Sequence, residues 1–122
     1  MYRLNILVAL IEIDIAIALF IRIKDVHYLP KINQSHLKKA EDFTDLVMYD
    51  MLNQLILKFF KKRTTCTPKA RMKNQKLSIR LSIAEASAIY QFYQEFATGE
   101  QYNQNICNHI HQQLININHI LG

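Results

Sequence analysis

Cysteine and histidine supply the closest approach to a chemical site. Cys107, His109, His111 and His119 crowd the last stretch of the chain. On a helix, Cys107 and His111 share a face at i,i+4 and would offer two ligands to a metal. His109 points elsewhere, and no second ligand pair has a recognisable spacing, so no metal is expected. Glu12 and Asp14 are a second candidate, a carboxylate pair. On a helix they lie about 200° apart; on a strand they share its wet face. Tyr90, Phe92, Tyr93, Phe96 and Tyr102 have flat faces of the kind that stack on bases of single-stranded nucleic acid. At helical spacing, aromatic residues more often form a core. The chain has no glycine-rich phosphate loop, no nucleophile–base–acid arrangement and no HExxH. The sequence makes no case for an enzyme, a catalytic residue or a cofactor.

Charge is the stronger signal. Nine basic residues (Lys58, Lys61, Lys62, Arg63, Lys69, Arg71, Lys73, Lys76, Arg80) fall between positions 58 and 80 with no acid among them, out of fifteen in the chain. The net charge is +5 and the isoelectric point about 9.3. Such a chain favours anionic partners, either nucleic acid or an anionic membrane face. Its two cysteines, Cys66 and Cys107, make no disulfide framework, which points to a reduced, cytoplasmic setting. Half the residues are apolar, enough for a core, and only two Gly and two Pro occur. So few turn residues favour a helical fold over a many-stranded one.

The elements that must position these residues start with an ambiguous one. Residues 4–23, LNILVALIEIDIAIALFIRI, have the length of a membrane span. Glu12 and Asp14 oppose insertion, at about 2.5–3.5 kcal/mol each near a helix centre against about 0.3–0.6 returned by each large apolar residue. If the segment spanned a membrane, the lysines that follow would hold the C-terminal part in the cytoplasm. A strand is the second reading: from Ile11 to Ile23 every odd position is Ile or Leu. Residues 4–10 alternate with the opposite parity, which implies a break near Leu10. A buried helix is the third.

Leu29-Pro30 should end this segment and open a linker over 25–34. Ser35 is placed to cap a helix with Glu41, Asp42 and Asp45 in its early turns and Lys58, Lys61, Lys62 and Arg63 at its end, as the helix dipole favours. Its apolar stripe is Leu37, Ala40, Phe43, Val47, Met48, Met51, Leu52, Leu55, Ile56 and Phe59, which should all face the core. Residues 63–76 read as a flexible basic loop, a kind of run that is most often just solvated; the alternative is an arm whose cations, Lys73 among them, order on phosphate. Leu77, Ile79 and Leu81 then alternate with Ser78, Arg80 and Ser82, as in a strand. Ser82-Ile83-Ala84-Glu85 fits a capping box. The helix it starts should stop at Thr98-Gly99, with Gly99 as a left-handed cap. A last helix places Tyr102, Ile106, Ile110, Leu114, Ile117 and Leu121 on one face.

The ribbon Lys76–Ser82, the Ser82-x-x-Glu85 helix start and the break at Gly99 resemble the ribbon-helix-helix DNA-binding family over residues 72–122. The first helix is aromatic-rich where that family is leucine-rich, and the inter-helix turn lacks the family's usual cap. The resemblance implies a dimer with two paired ribbons. Lys76, Ser78 and Arg80 would then face the bases, and Asn103 would help a helix N-terminus hold phosphate.

The expected fold class is mainly α, a small helical domain with one or a few short β-strands. Its parts are an apolar N-terminal segment (1–24), a linker (25–34), an amphipathic helix (35–63), a basic loop (64–76) and a strand–helix–helix module (77–122). The expected function is a non-enzymatic accessory or regulatory protein that binds nucleic acid, DNA first, through residues 58–80. Lys73, Lys76, Ser78, Arg80 and Asn103 are the candidate contacts, and a homo-oligomer is the expected assembly. The competing expectation is a membrane-associated or purely structural helical protein, the membrane contact being made through residues 4–23.

Overall fold

The computed structural model describes residues 3–34, 40–65, 76–99 and 105–121. The elements run β1 (Arg3–Ala9), α1 (Leu10–Arg22), a π-helical turn (Ile23–Tyr28), α2 (Leu29–Gln34), α3 (Ala40–Thr64), β2 (Lys76–Ser82), α4 (Ile83–Phe96) and α5 (Asn105–Leu121). The protein is mainly helical, with one two-stranded antiparallel sheet.

Residues 4–23 are both strand and helix, and the parity change marks the joint. In β1, Leu4, Ile6 and Val8 are buried while Arg3, Asn5 and Leu7 face out. Ala9 keeps extended backbone (φ −75°, ψ 156°), and Glu12 Oε1 accepts from its N–H at 3.4 Å as α1 begins. The alternation over 11–23 does not make a strand. Ile13, Ala16, Phe20 and Ile23, at three-four spacing, turn inward, and Ile11 and Ile21 are left exposed. Small Ala16, fully buried, lets α1 lie close along α3. No helix among the described residues is long and apolar enough to cross a membrane.

The expected linker at 25–34 is helical instead. Proline breaks a helix because it lacks an N–H and its ring meets the carbonyl four residues back. Here the turn before Pro30 is π-helical, with the Leu29 N–H bonded to the Lys24 carbonyl five residues back. That wider turn accommodates the ring, and the chain stays helical through it. Tyr28, carried on the same turn, is buried against Phe92 and Phe96 of α4.

On α3, Leu52, Leu55 and Phe59 are fully buried, and Met48, Tyr49, Met51 and Ile56 pack around them. Phe43 and Val47, expected inside, are exposed at 53% and 61%. This helix is apolar on two sides, and only one of them meets the core. Ser35 and Leu37 lie outside the described residues. Thr64 and Thr65 hydroxyls donate to the Lys61 and Lys62 carbonyls at 2.9 Å, satisfying acceptors the helix end leaves open.

The capping box at α4 forms as read. The Glu85 N–H donates to Ser82 Oγ at 3.1 Å, and the Ser82 N–H donates to Glu85 Oε1 at 2.9 Å. At the other end Arg22 Nη2 donates to the Phe96 carbonyl at 3.0 Å, and Gly99 takes φ +58°. The core is one cluster in which the Phe20 ring meets Phe59, Phe92 and Tyr93 edge-on at 5.3, 6.4 and 6.5 Å.

Candidate nucleic-acid interface

β1 and β2 pair in the register Arg3–Ser82, Asn5–Arg80, Leu7–Ser78 and Ala9–Lys76. Leu4, Ile6, Val8, Ile79 and Leu81 are therefore buried on one side of the sheet. The other side presents Arg3, Asn5, Leu7, Lys76, Ser78 and Arg80 to solvent. It carries three cations and no acid. The resemblance implies ribbons paired between two copies; β2 pairs with β1 of its own chain.

Both edges of the ribbon are tied to helices at a single cross-strand pair. Gln113 of α5 donates to the Asn5 carbonyl at 2.7 Å, and Lys58 of α3 donates to the Arg80 carbonyl at 3.0 Å. Asn5 and Arg80 face each other as a pair whose carbonyls point out of the shared ladder. Each outward carbonyl thus has a helix donor. The Arg80 side chain takes no part in this tie.

Between the C-terminal turns of α3 and β2 lies an open groove of about 710 Å³. Gln54, Leu57, Lys58, Lys61, Lys62 and Thr65 form one wall, and Ser78, Ile79, Arg80 and Glu85 the other. The cations here are not equivalent. Lys58 Nζ, about one-third exposed, meets the sheltered Glu85 Oε1 at 2.7 Å, and Arg63 Nε pairs with Asp14 at the surface. Burial pushes the Glu85 carboxyl up, but Lys58, together with the Ser82 backbone and hydroxyl, outweighs it and holds the group below its ordinary value of 4.5. Lys58 is thus committed to the fold, and Arg63 is paired at the surface. Lys61, Lys62, Lys76, Arg80 and Arg3 have no acidic partner among the described residues.

Lys76, Ser78 and Arg80 come together as expected; Lys73 and Asn103 lie outside the described residues. Arg3 and Asn5 were missing from the expected set. Their signal was the parity of residues 3–8, which puts both opposite Leu4, Ile6 and Val8; that this strand pairs with a distant one is not written locally. Lys61 and Lys62, explicable as a favoured helix end, also line the groove.

The other candidates have structural partners. Cys107 is buried, with Gln94 Nε2 at 3.6 Å from its Sγ; burial raises its thiol against that donor. His111 stacks on Tyr90 at 5.3 Å. Phe92 and Tyr93 are core residues. Glu12 and Asp14 point to separate partners, the Ala9 N–H and Arg63. Comparison with protein-family models, curated proteins and solved structures finds no match.

Proposed function

We propose that this protein is a non-enzymatic accessory factor that binds nucleic acid, DNA first, on the ribbon face and the adjoining groove. The observation that carries the reading is selective pairing of charge. Of the cations on and near the groove and ribbon, Lys58 and Arg63 have acids; the one acid lining the groove, Glu85, is taken by Lys58, and Arg3, Lys61, Lys62, Lys76 and Arg80 have no acidic partner among the described residues. Cations held close together without counter-charges repel one another, and a polyanion relieves that cost. A two-stranded ribbon fits a duplex major groove about 12 Å wide. Arg80 and Asn5, side by side on that face, are residue types that read guanine and adenine edges. Lys61 and Lys62 would follow the phosphates.

Fluorescence anisotropy with a short labelled duplex and the matching single strand tests this. Five neutralised phosphates give a log–log salt slope between about −4 and −5 on duplex DNA. Lys76→Ala with Arg80→Ala should abolish most binding and shallow the remaining slope by about 2. Absent or salt-independent binding to DNA and RNA contradicts the proposal, and so does binding to anionic vesicles alone.

A further inference from the structure

The outward side of α3 carries an apolar pattern that no described element covers, and one of its residues, Leu57, also lines the groove. Phe43, Leu46, Leu57 and Phe60 are exposed at 53, 39, 56 and 49%. With Asp50 and Asn53 between them they follow alternating three- and four-residue steps, the spacing of a coiled-coil seam, over about 25 Å of helix. The pattern is its own mirror image. Reversed end to end, Phe43 falls on Phe60, Leu46 on Leu57 and Asp50 on Asn53.

We propose that this stripe is a homodimer interface in which α3 pairs antiparallel with α3 of a second copy. A two-fold axis requires a self-complementary patch, and this stripe has the required symmetry. Phe43 packs on Phe60 of the second copy, Leu46 on its Leu57, and Asp50 meets its Asn53 amide. Asp50 already accepts from Gln54 Nε2 at 2.7 Å and has lone pairs left for that amide. A polar layer inside an apolar seam fixes register and orientation at some cost in stability. Charge selects the same orientation. The acidic start of α3, where Asp42 flanks the seam, lies level with the basic end of the other helix, where Lys61 flanks it, whereas a parallel pair would set like ends together. Lys58 and Lys62 project roughly a quarter turn or more from the seam and stay clear of it, while Leu57 lies in the seam and Lys61 beside it, so pairing narrows the groove along that part of its wall. The dimer does not depend on the nucleic-acid reading. A chain that dimerises without binding DNA leaves the interface intact, and a DNA-binding monomer removes it.

Sedimentation velocity of the full chain across the micromolar range is the test. The expected result is a concentration-dependent species of twice 14.4 kDa. Leu46→Glu with Leu57→Glu should give a monomer with an unchanged circular dichroism spectrum, because both side chains face water in the single chain. The register is checked separately: Leu46→Glu and Leu57→Lys proteins should each associate at least tenfold more weakly than wild type, and should recover when mixed. A wild-type monomer throughout overturns the proposal, even if the double variant fails to fold. So does a mixture no tighter than its components, or a stripe that engages lipid vesicles in place of a second copy.

Discussion

Lys58 and Glu85 do more for this molecule than their neighbours of the same charge. The Lys58 ammonium joins α3 to the Arg80 carbonyl and to the carboxylate that caps α4, so three elements meet at one nitrogen. Lys58→Ala should cost about 2 kcal/mol in urea unfolding, because it leaves a sheltered carboxylate without its strongest donor. Lys61→Ala, on the open wall of the groove, should fall within about 0.5 kcal/mol of wild type. The pH dependence follows from the lowered Glu85 value. Between the folded and unfolded values the unfolded chain binds more protons, so stability rises with pH there. The Glu85 contribution is complete above about 4.5 and is lost as the pH falls through the lower folded value. Glu85→Gln should flatten that acid limb. On the alkaline side, burial raises Cys107 above its ordinary 9.0 and raises Tyr28 and Tyr93 above 10.0. Their stabilisation is full below those ordinary values and is lost as the pH climbs through the raised ones.

Elements with local grammar were legible in the sequence, and elements decided by tertiary contact were not. The capping box at Ser82–Glu85 and the strand before it depend on residues within a few positions of each other, whereas the stop differs from its reading: α4 ends at Phe96 with Ala97 extended (φ −72°, ψ 138°), and the positive φ of Gly99 lies past that cap. Gly99→Ala should cost about 1 kcal/mol, through its positive φ alone, since open space surrounds the added methyl; thermal unfolding reads it. The run over 11–23 misled as a strand because Ile and Ala suit either period, and packing of α1 on α3 decided between them. Pro30 misled because a π-helical turn before it removes the usual clash. On α3 the apolar positions cover two faces, so no periodicity separates Leu52, which is buried, from Phe43, which is not. The candidate site was half legible. Lys76 and Arg80 stand out on an alternating strand, but their companions Arg3 and Asn5 arrive through strand pairing across most of the chain.

At the scale of the whole molecule, one core holds the sheet and helices so that charge is sorted by surface. Phe59 stands where α1, α3 and α4 meet, against Phe20. Phe59→Ala should cost about 3–5 kcal/mol by leaving a cavity there, a large share of the roughly 5–15 kcal/mol that holds a domain together. The urea midpoint measures it. The same core presents the ribbon's polar side and the α3–β2 groove as a single cationic surface, which is the central claim. Mapping backbone amide shifts while a short DNA duplex is added tests that claim most directly. Perturbed residues should cluster on the outward positions of β1 and β2 and on the last turn of α3, around Asn5, Ser78, Arg80, Lys61 and Lys62. Perturbations confined to other surfaces, or none at low salt, would contradict it.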